Sequence, residues 1–167
     1  STTVCMAMLQ GSILKVVNLG DSGLVVVRDG EIIFQTPCQN HGFNFPYQIG
    51  SPDYMEDPNG PDEADIFEVF VQKGDAVVVA SDGLFDNIFA DEMAQICWNR
   101  LARGDLSPEM AEDIALTLAT TAQTYSGNPL KKTPFAKEAR EANAFGPLSM
   151  PIGGKPDDTA VIVALVE

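Results

Sequence analysis

The first third of the chain is a series of short apolar runs broken by glycine and aspartate. "TVCMAMLQ" and "ILKVVNLG" flank Gly11-Ser12, "GLVVVR" follows Asp21, and "EIIFQT" follows Asp29-Gly30. Runs so short and so closely spaced predict strands joined as antiparallel hairpins, because a parallel crossover needs a connection of about a dozen residues or more. The Asp-Gly of "VVVRDGEIIF" suits the positive φ values of a two-residue hairpin turn. Residues 37–64, rich in Pro, Gly, Asn and Asp, break the pattern and predict a long flap-like excursion. Strand character returns in "DIFEVFVQ" and "DAVVVAS", joined through Lys73-Gly74.

The period then changes. "ADEMAQICWNRLARGD" places Met93, Ile96, Cys97 and Leu101 on one helical face, with Asp91 as the expected N-cap and Gly104 as the stop. "SPEMAEDIALTLATTAQTYSG" predicts a longer helix, capped by Ser107, started by Pro108 and ended at Gly127. Its positions Met110, Ile114, Leu118 and Ala122 recur at fours and should face inward. "TPFAKEAREANAF" predicts a short polar helix, "GPLSMPIGGKPDD" a loop, and "TAVIVALV" a closing strand. Strands first, paired helices next and a last strand together predict an α+β layered fold built on antiparallel sheet.

Composition narrows the function. The 167 residues suffice for one domain with a real core. A formal net charge of -14 repels nucleic acid and anionic membrane, so those partners are not expected. Most of the carboxylates are explained by a solvated surface, but a few of them are candidates for converging on cations. Cys5, Cys38 and Cys97 have no metal-ligand spacing and read as buried thiols of a reducing compartment. His41, the single histidine, excludes a multi-histidine zinc site.

Three acidic positions share one setting beside apolar runs. Asp21 follows "LKVVNLG", Asp82 follows "AVVVAS", and Asp157-Asp158 precede "TAVIVALV". Unlike Asp29-Gly30, the pair Asp82-Gly83 is not followed by a second strand, so a hairpin turn does not explain it. Taken singly, each is accounted for by a turn or a cap. Carboxylates gathered at one edge of a sheet repel unless cations neutralise them. With oxygen ligands only, those cations would be Mg²⁺ or Mn²⁺ rather than zinc.

"NLGDSG", "VVVASDGLFDN" and "GGKPDDTAVIVALV", in this order, resemble the later motifs of the metal-dependent protein serine/threonine phosphatases of type 2C, the PPM family. The opening "STTVCMAML" resembles the strand that precedes those motifs. "FNFPYQIG" and "TPFAKEAREA" resemble its mitochondrial and chloroplast branch, which implies an organellar location. The resemblance implies a β-sandwich of antiparallel sheets flanked by antiparallel helices, in α-β-β-α layers. It implies metal ligation by Asp82 and Asp157, with Asp21 and again Asp82 at a weaker third metal, so two Mn²⁺ or Mg²⁺ ions, or three. Asp158 is expected to support its neighbour, Gly83 to let the chain turn, and Asp86 and Asn87 to cap the turn that follows. The implied reaction is hydrolysis of phosphoserine or phosphothreonine in a phosphoprotein substrate by a metal-activated water, with no covalent intermediate. A monomer is expected.

The family's early Asp-Gly-x-Gly-Gly motif occurs nowhere in the chain. Residues 1–167 are therefore expected to be the C-terminal part of a single phosphatase domain, its N-terminal portion missing, and to bind metal poorly alone. Two further readings stand beside the enzyme: a phosphatase-like regulatory or binding module, and a phospho-accepting receiver domain. The receiver requires alternating βα units, which the closely spaced strands of residues 3–36 oppose.

Overall fold

The computed structural model describes residues 1–55, 58–102, 104–144 and 153–167. Two antiparallel sheets form a sandwich, and β5 (Asn40–Gly42) and β6 (Phe45–Pro46) form a small two-stranded sheet in the flap. One sheet of the sandwich carries β1 (Val4–Gln10), β2 (Ile13–Leu19) and β7 (Asp65–Phe70), in the order β1-β2-β7. The other carries β3 (Gly23–Arg28), β4 (Glu31–Gln35), β8 (Ala76–Ala80) and β9 (Val161–Leu165), in the order β4-β3-β8-β9. All pairings in both sheets are antiparallel, which removes the receiver reading.

Two of the expected hairpins form as the spacing predicts. β1 turns into β2 at Gly11, and β3 turns into β4 at Asp29 (φ 50) and Gly30 (φ 81), both left-handed as an Asp-Gly turn requires. The link between β2 and β3 differs from the expected hairpin. It crosses from one sheet to the other, turning at Gly20 with φ 99. The β7–β8 link likewise changes sheets, with Gly74 at φ 95. Short spacing dictates antiparallel direction but not sheet membership, because a tight corner and a hairpin need equally few residues.

Burial explains the two kinds of strand pattern. β3 and β8 are covered on both faces and are continuously apolar, whereas β7 alternates between half-buried and exposed positions. Leu14, Val16, Leu24, Val26, Val71 and Val77 form the core between the sheets. Val25, Val27, Val78 and Ala80 point the other way, against Met93 and Cys97 of α2 (Ala90–Leu101) and Ile114, Leu118 and Ala122 of α3 (Pro108–Ser126). Each fully buried Val, Leu, Ile or Met among them contributes roughly 1.5–3 kcal/mol before entropy is counted. The outer face of the three-stranded sheet leaves Met6, Met8, Ile66 and Phe70 exposed. The described residues thus supply two sheets and one helical layer of the expected α-β-β-α arrangement.

Helix caps follow the sequence with one exception. The Ser107 hydroxyl accepts from the Met110 N–H at the start of α3, and Gly127 is its C-cap. Thr133 caps α4 (Pro134–Glu141) in the same way. The N-cap of α2 is Phe89, not Asp91, which instead sits in the first turn, where its charge favours the helix dipole. α2 ends at Leu101, and Gly104, at φ 76, donates its N–H to the Leu101 carbonyl.

Candidate active site

Register alone brings the acidic positions together. β3 opposes β8 with Gly23 across from Ala80, and β8 opposes β9 with Ala80 across from Val161. The turn carrying Asp21, the segment after β8 carrying Asp82, and the segment before β9 carrying Asp157-Asp158 therefore share one end of the sandwich. Asp82 opens a single helical turn, α1 (Asp82–Phe85), with Ser81 as its N-cap.

The carboxylates converge on a side chain that sequence reasoning passed over. The Lys155 Nζ lies 2.7 Å from Asp82 Oδ2, 2.8 Å from Asp86 Oδ2 and 3.2 Å from Asp157 Oδ2. Asp86 is the C-cap of α1 as expected, and its carboxylate has a second role that only the folded chain supplies, since Lys155 lies 69 residues away. Asn87 caps α1 too, donating from Nδ2 to the Gly83 carbonyl at 2.9 Å. It also clamps the backbone of Lys155, accepting from its N–H at 3.0 Å and donating to its carbonyl at 3.0 Å. The signal available in the sequence was a lysine between Gly153-Gly154 and Asp157, in a loop whose glycines admit close backbone approach. The first part of that loop, residues 145–152, lies outside the described residues.

Asp158 is tied to its neighbours through its backbone. Its N–H donates to Asp157 Oδ1, its carbonyl accepts from the Ser81 hydroxyl, and it is exposed. Gly83 is where the two segments meet. A Cβ built there would stand 2.5 Å from the Asp158 carbonyl oxygen, so only glycine fits. Gly20 is constrained too, by its positive φ and by Thr3 and the Tyr47 carbonyl.

Electrostatics bear out the crowding. Burial first, then the charge of Asp82, pushes the Asp21 carboxyl above its ordinary range. Burial pushes Asp86 up to about 6, against the pull of Lys155. Burial opposes the Lys155 charge, but hydrogen bonds to Asp82 and Asp86 outweigh it and hold its proton more tightly than usual. The donor chemistry suits a hard divalent cation. The arrangement does not: among the described residues no group of three or more His, Cys, Asp or Glu side chains is placed to hold a metal ion. Oxygens at 2.7–3.2 Å surround an ammonium, whereas Mg²⁺ takes its ligands at about 2.1 Å.

A cavity of about 330 Å³ opens beside the cluster, lined by Asp21, Cys38, Phe85, Asp86, Phe135 and Glu138 among others. The flap borders it. Phe43 stacks near Phe135 at 5.4 Å, and His41 stacks on Tyr47 at 4.2 Å while its Nε2 meets Asn59 Oδ1. Phe43 thus ties the flap to α4, Tyr47 packs within the flap itself, and Phe45 stays largely exposed.

Residues 1–122 match the family model described as Protein phosphatase 2C. The chain is 35% identical over 166 residues to "Probable protein phosphatase 2C 80" of Arabidopsis thaliana, covering 99% of this chain and 37% of that one. The structure titled as the photosystem II phosphatase PBCP superposes with a TM-score of 0.85 at 34% identity, over 99% of this chain and 64% of that one. At 18% identity, a structure titled as the catalytic domain of the serine threonine protein phosphatase PstP, in complex with 2 manganese ions, shares the fold with a TM-score of 0.54, over 99% of this chain and 59% of that one. The chain spans about a quarter to a half of the length of the curated relatives it matches. With the match over residues 1–122 and a sandwich that ends in the expected aspartates, the chain belongs to the protein phosphatase 2C family.

Proposed function

We propose that the protein hydrolyses phosphoserine and phosphothreonine in protein substrates with the aid of Mn²⁺ or Mg²⁺, two ions or three, and that Asp82, Asp157 and Asp21 are among the metal ligands. The observation that carries this reading is the convergence of Asp82 and Asp157, far apart in sequence, at the end of a sandwich of this family. The manganese in the PstP structure supports the choice of ion. Asp82, Asp157 and Asp21 would hold the divalent cation, which would supply Lewis acidity and an activated water.

The chain's own residues orient the carboxylates. Ser81 ties the end of β8 to the segment before β9, donating to the Asp158 carbonyl at 3.2 Å and accepting from the Ala160 N–H at 3.0 Å. Asn87 fixes the loop after Gly154, and the Thr133 hydroxyl holds the Gly153 carbonyl at 2.8 Å. These contacts hold the segments that carry Asp82 and Asp157 at one end of the sandwich. The adjoining cavity is available to residues that flank the phosphorylated side chain.

The test is hydrolysis of a phosphothreonine peptide by chelator-stripped full-length protein. Mn²⁺ should restore turnover, and Asp82→Asn should lose nearly all of it. Full activity in chelator, or in Asp82→Asn, would refute the assignment. The alternative, a phosphatase-like binding module, expects phosphopeptide binding without turnover at any metal concentration. The likeness to a photosystem II phosphatase supports an organellar setting, which imaging of the tagged full-length protein tests.

A further inference from the structure

Lys155 has no part in the hydrolysis proposed above, yet its ammonium sits where three carboxylates meet. An ammonium has three donors. Here Asp82 and Asp86 each accept a hydrogen bond from it, and Asp157 Oδ2 lies 3.2 Å away as a third ion pair. The backbone beneath it is not free to move. Asn87 clamps the Lys155 N–H and carbonyl, Gly154 packs against Tyr125 and Ser126 with no room for a side chain, and Gly153 is held by Thr133. Only the flexible stem of the lysine can swing, and the Phe135 ring, 5.8 Å from Nζ, offers a neighbouring face for a displaced cation.

One positive charge does not balance these carboxylates, and Asp21 adds a further one within electrostatic range of Asp82. A divalent cation would balance more, but it cannot share the point of convergence with an ammonium, since like charges a few ångströms apart repel strongly. We propose that Lys155 is a tethered counter-cation: its ammonium occupies the carboxylate cluster of the metal-free protein and has to leave before a divalent cation binds, so that Lys155 sets the metal affinity of the site. This rests on the reading of Asp82 and Asp157 as metal ligands. It also accounts for the lack of a metal-ready cluster among the described residues, because the oxygens are spaced around Nζ.

The test uses Mn²⁺ alone, titrated calorimetrically into chelator-stripped full-length protein. Lys155→Met removes the charge and keeps most of the stem; it should bind Mn²⁺ about tenfold or more tightly than the wild type, since no charge-assisted hydrogen bonds have to break first. Lys155→Arg keeps a competing cation and should show no such gain. In chelator, Lys155→Met should melt below the wild type, and Mn²⁺ should close or reverse the gap. A Lys155→Met protein that binds Mn²⁺ no better than the wild type overturns the proposal and leaves Lys155 a structural tether.

Should Lys155→Met fail to fold without metal, the wild type decides. The hydrogen-bonded Nζ resonance of Lys155, assigned by its loss in Lys155→Arg, should disappear as Mg²⁺ saturates the site. Its persistence in the Mg²⁺-bound protein overturns the proposal. None of these measurements reads hydrolysis. A wild type that cleaves no phosphopeptide while Lys155→Met gains Mn²⁺ affinity would sink the functional reading and leave the counter-cation standing; turnover without that gain would do the reverse.

Discussion

Substituting Gly83 by alanine should separate catalysis from stability. The added Cβ would lie 2.5 Å from the Asp158 carbonyl oxygen, 2.9 Å from Thr159 Oγ1 and 3.1 Å from the Asp158 carbonyl carbon. Thr159 can rotate away, but the Asp158 backbone cannot. It is held by the Ser81 hydroxyl and by the pairing of Ala80 with Val161. Ordinary contact at about 3.4 Å requires the segment before β9 to retreat by roughly 0.9 Å. Alanine favours the helical turn over glycine by about 1 kcal/mol, and overpacking costs about 1–3 kcal/mol, so the net destabilisation should be about 0–2 kcal/mol. A domain of this size tolerates that loss and stays folded at 25 °C. The same shift carries Asp157 away from Asp82, and misplacement by about 1 Å at a reacting centre costs on the order of 100-fold in rate. Urea unfolding and phosphopeptide hydrolysis at saturating Mn²⁺, both on full-length protein, measure the two effects. Gly42→Ala, with nothing near the added carbon, is the control. Gly83→Ala with activity within about twofold of the wild type would refute the close-packing argument.

Three other outcomes follow from the same geometry. Asp157→Ala should be close to inactive at any Mn²⁺ concentration, whereas Asp158→Ala should lose about 10–100-fold and recover in part with excess Mn²⁺; a reversed ranking in a metal titration would move the ligand one position along the chain. Asp75, buried at the far end of the sandwich, takes a two-pronged contact from Arg28 at 2.7 Å on each oxygen and a third hydrogen bond from the Gln72 N–H. Asp75→Ala should cost about 3 kcal/mol in urea unfolding, with the folded fraction fully active; a loss below about 1 kcal/mol would contradict this. Burial raises Asp86 to about 6, so its proton stabilises the folded state below the unfolded value of 3.8, and that contribution is lost as pH rises through 6. In chelator, the wild type should therefore lose stability between pH 4 and 6 relative to Asp86→Asn; parallel stability profiles would count against it.

Much of the architecture was legible because it is written locally. The Asp29-Gly30 hairpin, the Ser107-Pro108 helix start and the inward face of Ile114, Leu118 and Ala122 each depend on a few neighbouring residues. The Asp91 cap was misplaced because helix starts vary by a residue or two when no side chain closes the first turn, and Phe89 makes no side-chain cap here.

The sequence by itself determined the strands, their antiparallel direction and the aspartates at the ends of β2 and β8, since side-chain period and turn chemistry act over a few residues. Only the tertiary structure decided that β2 and β3, three residues apart, belong to different sheets. It alone brought the Lys155 ammonium to Asp82, 73 residues away, and made Asp86, the C-cap of α1, part of a carboxylate cluster as well. The physical reason is distance along the chain. A side chain's electrostatic partner is chosen by which strand edges meet in space, and local pattern carries no record of that choice.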